Sequence, residues 1–128
     1  MSASEPRETR PRTLVLVDDQ PEFLQLARVR LTRGGTLQVV AEATSGQAVL
    51  DLLPTLEPPP EAILLDVEMP GLDGFETARR LRSVAPQARI ILTSASESLG
   101  YESAALGLGA SFLPKRNLSV EAVLRLID

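Results

Sequence analysis

Three carboxylates stand where apolar runs stop. Asp18 and Asp19 follow "TLVLV", and Asp66 follows "AILL", with Glu68 two residues further on. Two more runs end in polar groups of other kinds: "RIIL" meets Thr93 and Ser94, and "SFL" is followed two residues later by Lys115. If these runs are neighbouring strands of one parallel sheet, their trailing side chains share its carboxyl-terminal rim, where open α/β sheets bind ligands. Acids gathered at one edge repel one another. Two unit charges about 4 Å apart cost roughly 4 kcal/mol at an effective dielectric of 20. A hard divalent cation offsets that, and Mg²⁺ takes oxygen ligands and bridges carboxylates to phosphate oxygens. Lys115 adds one mobile positive charge. A cation, an ammonium, a hydroxyl and an aspartate together describe a site that receives a phosphoryl group, with Asp66 as its nucleophile.

The elements that must position these groups are legible from periodicity. Apolar runs at 13–17, 37–43, 62–65, 89–93 and 111–113 alternate with amphipathic segments at 21–33, 46–53, 74–84, 97–107 and 119–127, five strand-helix units in all. Runs such as "LVLV" and "AILL" are continuously apolar, as strands covered on both faces are, so the sheet is expected to be parallel. In the third helix Phe75, Ala78 and Leu81 should face the sheet and Arg79, Arg80 and Arg82 water. In the last helix Val120, Val123, Leu124 and Ile127 form one stripe, Glu121 and Arg125 fall outside it, and Ser119 can cap its start. The fourth helix is expected to be weak and mobile, because Gly100, Gly107 and Gly109 each cost about 1 kcal/mol relative to Ala in a helix interior. Residues 1–12, with no apolar period and two prolines, read as a flexible leader ahead of a single domain over 13–128. The proline-rich stretch 54–62 reads as an exposed connector.

Composition removes whole classes of chemistry. With no His and no Cys among 128 residues there is no thiolate or imidazole nucleophile, no zinc or haem site and no disulfide. A net charge of -4 without a basic stripe or interleaved aromatics argues against direct nucleic-acid binding, which depends on neutralising phosphates. No apolar run reaches the ~18 residues of a membrane span and no signal segment opens the chain, so a cytoplasmic location without membrane contact is expected, with a protein as partner.

With these pieces in order, the chain resembles the receiver domain of bacterial two-component response regulators over about residues 13–127. The resemblance rests on the acid pair in "VLVDDQPEF", the loop "LLDVEMPGLDGFE", the hydroxyl-bearing "TSAS", and "GASFLPK" with its lysine, and "VVAEATSGQAVLDLL" is similar to that family's second strand and helix. It implies a doubly wound (βα)5 domain with a flavodoxin-like five-stranded parallel sheet in the order 2-1-3-4-5. It implies that Asp66 is phosphorylated by a sensor histidine kinase or a histidine phosphotransfer protein, and that the protein is a self-phosphorylating phosphoacceptor with slow hydrolysis and not an enzyme. Asp19 and Asp66 would bind Mg²⁺ with the backbone carbonyl of Glu68, Asp18 would support the metal through water, and Lys115 would pair with the phosphoryl group. The switch hydroxyl would be Ser94, since Ser94-Ala95 fits the family's hydroxyl-then-small pattern better than Thr93-Ser94, with Thr93 as the alternative, and its aromatic partner would be Phe112. Phosphorylation would then move the fourth helix and fifth strand, making residues 97–127 the regulated face for a downstream protein or a second copy. Two departures stand out: the interval before Lys115 is one residue shorter than the commonest, and Arg116 follows it where many relatives have proline.

Each piece also has an ordinary explanation. Asp18 to Pro21 can be a capped helix start, Asp66 to Gly74 a loop of two turns with Asp73 as a cap, Lys115 a surface charge and Phe112 core. Glu68 can point its side chain to solvent while its carbonyl binds. Convergence on one rim favours the functional interpretation. A calcium loop starting at Asp66 fails because Thr77 stands where a bidentate Glu is needed. A haloacid-dehalogenase-type phosphatase expects a second Asp at 68 and a cap domain, and a dinucleotide fold its glycine signature. The remaining rival is a receiver-like docking module that is not phosphorylated. The chain stops after the fifth helix, so an isolated regulator and a fragment of a longer one are both expected outcomes.

Overall fold

The apolar runs form strands β1 (Arg12–Val17), β2 (Leu37–Ala43), β3 (Ala62–Asp66), β4 (Arg89–Ser94) and β5 (Ser111–Pro114). Each precedes a helix: α1 (Pro21–Thr32), α2 (Gly46–Leu52), α3 (Gly74–Val84), α4 (Tyr101–Gly107) and α5 (Val120–Ile127). This computed structural model describes residues 10–96 and 100–128. Residues 1–9 of the expected leader and 97–99 of the expected fourth helix and contact face lie outside the described residues.

Every strand pair is parallel and the order is β2-β1-β3-β4-β5. The chain winds outward from β1 to β2 and then returns to place β3 on the other side of β1. The loops after β1 and β3 therefore diverge, which opens a crevice at their carboxyl ends.

Alternation along the strands divides the interior into two layers. Val15, Val17, Ile63, Leu65, Ile90 and Leu92 face α2, α3 and α4, where they meet Val49, Ala78, Leu81 and Ala105. Leu14, Leu16, Ala62, Leu64, Ile91 and Leu113 face α1 and α5, where they meet Leu24, Ala27, Leu31, Val123 and Ile127. Central strands covered on both faces have no reason to alternate, and all five residues of β3 are buried. The edge strand β2 does alternate, with Leu37 and Val39 buried and Gln38 and Val40 exposed.

Side-chain caps set three of the helix starts. Ser45 accepts from the Ala48 amide, Asp73 from Glu76 and Ser119 from Ala122, which satisfies donors that the first turn leaves unpaired. Helix α1 begins differently, with Gln20 at the cap position, no side-chain cap and Pro21 in the first turn. Asp18 and Asp19 are therefore not spent as helix caps.

Two boundaries differ from expectation. Arg12, assigned above to the leader, is the first residue of β1: its amide donates to the Thr36 carbonyl at 2.9 Å and its guanidinium bonds Glu61 and Asp128. Helix α4 starts at Tyr101, and Gly100, which was expected inside the helix, takes a left-handed conformation (φ 97°) that interrupts helical geometry. Of the three glycines, only Gly107 lies inside α4. The light hold on this helix has another cause: Ala105 is its one buried residue.

Candidate acidic site at the strand ends

Because β1 and β3 are neighbours in register, with Val17 opposite Leu65, the residues just beyond them meet at the rim. One carboxylate oxygen from each of Asp18, Asp19 and Asp66 lies within 4.8 Å of the other two. Asp18 and Asp66 are buried, at 1% and 3% exposure, while Asp19 is half-buried. Two short local bonds orient them. The Gln20 amide donates to Asp18 Oδ1 at 2.9 Å, and the Glu68 amide donates to Asp66 Oδ1 at 3.2 Å.

Lys115 opens a 3₁₀ turn (Lys115–Asn117) directly after β5 and reaches back across the rim. Its Nζ stands 2.7 Å from Asp18 Oδ2 and 3.8 Å from Asp66 Oδ2, with the side chain only 14% exposed. The same ammonium lies 4.2 Å from the ring centroid of Phe23 on α1. Asp18 Oδ2 is fully buried and receives no hydrogen bond of acceptable geometry among the described residues, so its contact with Lys115 is Coulombic. Three hard oxygen donors, one of them lacking a hydrogen bond, suit a divalent cation.

The buried setting shows in Asp66 itself. Burial pushes its carboxyl up to about 6 and the charge of Asp18 pushes the same way, while Lys115 and the Glu68 amide pull down. A carboxylate that burial and a like charge both penalise is stabilised by any added positive charge.

The loop carrying Asp66 into α3 is held by backbone. The Val67 amide donates to the Thr93 carbonyl at 2.8 Å and the Gly74 amide to the Val67 carbonyl at 2.9 Å. Gly74 permits the close approach of α3: a Cβ there would sit 2.3 Å from the Asp66 carbonyl oxygen and 2.6 Å from Val67 Cα.

Glu68 is exposed, as expected, but its side chain is also engaged, outside the acidic cluster. It accepts from Ser94 Oγ at 2.9 Å, Ser96 Oγ at 2.7 Å and Tyr101 Oη at 3.1 Å. These bonds, with Ser96 and Ser94 foremost, hold its carboxyl below the usual carboxylate range.

Thr93 and Ser94, the two candidates for the switch hydroxyl, separate by face. Asp66 pairs with Thr93 and Ser94 with Pro114. Alternation along β4 sends Ile91 and Thr93 toward α1 and α5, and Leu92 and Ser94 toward α3 and α4, the side on which Phe112 also packs. Phe112 is partly buried and meets the Tyr101 ring edge-on at 5.8 Å, and Tyr101 meets Phe75 likewise at 5.5 Å.

Phe23, Ser96 and Tyr101 did not emerge as site residues from the sequence. Phe23 lies four positions after Asp19, inside the segment that carries the acids, which is the one signal it gave. Ser96 likewise lies inside "TSAS", where nothing set it apart, and Tyr101 gave no signal, because the partner of both, Glu68, is on another element.

The arrangement joins a buried carboxylate at a strand end, two flanking acids and an ammonium within reach. Chemically it can concentrate a cation and an anionic group at one carboxylate.

Comparison with known proteins agrees with this architecture. Residues 14–126 match the model of the response regulator receiver domain family. A NarL transcriptional regulatory protein of Mycobacterium tuberculosis (strain ATCC 25618 / H37Rv) is 35% identical over 129 aligned residues, covering 100% of this chain and 57% of that protein. The chain spans about half the length of the curated relatives it matches. Among solved structures, the signal receiver domain of NarL from M. tuberculosis superposes with a TM-score of 0.82 at 34% identity, covering 92% of this chain and 97% of that one. The receiver domain of the histidine kinase CKI1 from Arabidopsis thaliana, complexed with Mg²⁺ and BeF3⁻, gives 0.76 at 26% identity and covers 92% and 90%. No helix among the described residues is long and apolar enough to cross a membrane. By matched extent, strand order and similarity, the chain belongs to the response regulator receiver domain family of two-component systems.

Proposed function

We propose that Asp66 accepts a phosphoryl group from a phosphohistidine on a sensor histidine kinase or histidine phosphotransfer protein. The observation that carries this is the meeting of Asp66, 3% exposed at the end of β3, with Asp18 and Asp19 within 4.8 Å and the Lys115 ammonium 3.8 Å away. An Asp66 oxygen attacks phosphorus as the phosphorus–nitrogen bond of the donor breaks, and the departing imidazole retains the bonding pair and takes a proton. The product is an acyl phosphate on Asp66. With its carboxyl titrating at about 6, Asp66 is mostly ionised near neutral pH and able to attack.

Asp19, Asp66 and the backbone carbonyl of Glu68 would hold Mg²⁺, with Asp18 supporting it. When bound, Mg²⁺ supplies positive charge to the phosphoryl oxygens. Lys115 moves from Asp18 toward the new anion. Ser94 serves as the switch hydroxyl, supported by its sharing a face with Phe112, and Thr93 serves β4 through its backbone. The ~-2 charge of the phosphoryl group draws Ser94 and Lys115 inward and shifts α4 and β5, so that the described part of residues 97–127 presents a new surface to a downstream protein or a second copy. The protein acts as a phosphoacceptor in the cytoplasm, with the receiver domain running from Arg12, the first residue of β1, to residue 128.

Incubation with acetyl phosphate and Mg²⁺, followed by intact-mass measurement, tests this. Wild type should gain one phosphoryl mass that EDTA prevents and Asp66→Asn lacks. Absence of an Asp66-dependent adduct would favour the docking module instead.

A further inference from the structure

Three hydroxyls from separate parts of the chain converge on one carboxylate outside the acidic cluster. Ser94 ends β4, Ser96 lies in the loop beyond it and Tyr101 is the first residue of α4, and all three donate to Glu68. From this convergence we propose that Glu68 is a positioning residue that withholds the Ser94 hydroxyl from the acidic site and, through Tyr101, tethers the start of α4 until a phosphoryl group claims that hydroxyl. The proposal rests on the phosphoacceptor function of Asp66.

A serine hydroxyl has one proton to donate. Two acceptors lie within reach of that of Ser94, Glu68 Oε1 at 2.9 Å and Ser96 Oγ at 3.1 Å, and the shorter, charge-assisted bond to the carboxylate takes it, while the Ser96 amide donates to Ser94 Oγ at 3.0 Å. The hydroxyl is thus committed on both sides, and a phosphoryl oxygen on Asp66 gains it only by displacing Glu68. Glu68 lies two residues from Asp66, so the incoming charge of about -2 also repels the carboxylate that holds the hydroxyl. Displacement and repulsion act in the same direction.

Tyr101 carries the consequence to α4. Its ring rests edge-on between Phe75 and Phe112, at centroid distances of 5.5 and 5.8 Å, while its phenol is bound to Glu68. Ala105 is the one buried residue of the helix, and Gly100 offers no side-chain cap. A helix with so little buried side chain is positioned largely by such end contacts. At its other end the Arg82 guanidinium bonds the Leu108 carbonyl, so loss of the Tyr101 contact frees one end and leaves the other as a pivot. Glu68 therefore links occupancy of Asp66 to the position of α4 by competition for a single proton donor.

The sequence supplies its own probe, since Tyr101 is the only Tyr and there is no Trp. A phenol hydrogen-bonded to a carboxylate is quenched, so in EDTA Glu68→Ala should show brighter tyrosine emission than wild type. Equal emission overturns the tether. Titration with beryllofluoride and Mg²⁺ should brighten wild type saturably, and Glu68→Ala, followed by amide chemical shifts, should bind about tenfold more tightly because no acceptor competes for Ser94. Removing a negative charge tightens binding by itself. The double-mutant cycle with Ser94→Ala separates the two effects: in the Ser94→Ala background the gain from Glu68→Ala should shrink to about threefold or less. An undiminished gain overturns the competition. Failure of beryllofluoride to bind in an Asp66-dependent way in every variant sinks the phosphoacceptor function and the latch with it, whereas normal binding with additive effects sinks the latch alone.

Discussion

The ammonium of Lys115 lies 4.2 Å from the centroid of the Phe23 ring. Attraction between a cation and an aromatic face is worth about 0.5–2 kcal/mol, more where water is excluded, and this lysine is only 14% exposed. The ring thus fixes one side of a charge whose other neighbours are Asp18 at 2.7 Å and Asp66 at 3.8 Å. Phe23→Leu should keep most of the packing between α1 and α5 but lose the ring face. We expect phosphorylation by acetyl phosphate to slow about three- to tenfold, with little change in the urea midpoint, and Phe23→Tyr to restore the rate. The Lys115 side-chain methylene protons should lose a ring-current shift in the leucine variant and keep it in the tyrosine one. An unchanged rate together with unchanged lysine shifts would remove Phe23 from the site.

Gly74 tests how tightly the Asp66 loop is clamped. A methyl group at this position meets backbone atoms, the Asp66 carbonyl oxygen at 2.3 Å and Val67 Cα at 2.6 Å, and backbone cannot rotate aside as a side chain can. Gly74→Ala must push α3 away from the end of β3 or deform the loop. Overpacking of this kind typically destabilises by about 1–3 kcal/mol. Urea unfolding should register that loss, and acetyl phosphate labelling should fall along with it because the displaced loop carries the nucleophile. Wild-type stability in the variant would mean that α3 has room the structure does not show.

How far the sequence alone led is clearest in the contrast between Asp66 and Glu68. Asp18, Asp19, Asp66 and Lys115 were legible because each follows an apolar run, and a parallel sheet necessarily gathers the trailing ends of its strands on one rim. The partners of Glu68 were not. They lie 26, 28 and 33 residues away, and nothing in local periodicity says which hydroxyl a loop carboxylate will meet. Thr93 and Ser94 stayed ambiguous because adjacent residues of a strand face opposite sides, and only the register with β3 and β5 decides which of them lies with Phe112. The start of β1 was misplaced for a similar reason: Arg12 joins the strand through Thr36, Glu61 and Asp128, all distant in sequence.

Arg82 provides a test of α4 that leaves the acidic site untouched. Sequence period places it among the solvent-facing arginines of α3, yet its guanidinium bonds the Leu108 carbonyl just beyond α4. Arg82→Ala should lower global stability by no more than about 1 kcal/mol, the net worth of one exposed hydrogen bond. Amide exchange in α4 should nevertheless quicken several-fold, because a helix with one buried residue opens without the rest of the domain. Faster exchange spread evenly over β3 and β4 would instead indicate global destabilisation and contradict a local hold.

The pH dependence of stability in EDTA isolates the strain at Asp66. Its carboxyl titrates at about 6 in the folded chain against 3.8 when unperturbed, with burial the main cause and Asp18 the second. The shift runs opposite to that of a salt-bridged carboxylate, so the sign of its effect is also opposite. Between those two values the folded state keeps a proton that the unfolded chain has released, and stability falls as pH rises through that window. The full difference of about two pH units corresponds to roughly 3 kcal/mol, reached by about pH 7 and constant above it. Asp66→Asn has nothing to titrate there. Groups outside the cluster contribute equally to both proteins, and the coupling of Asp66 to Asp18, Asp19 and Lys115 is part of the difference measured, so the stability of the variant minus that of wild type should grow from near zero at about pH 4 to about 3 kcal/mol at pH 8. Adding Mg²⁺ at the higher pH should narrow the gap, since a cation among the three acids offsets the same repulsion. Urea unfolding of the two proteins across this range measures the difference directly, and a gap that does not vary with pH would mean Asp66 is not strained by its surroundings.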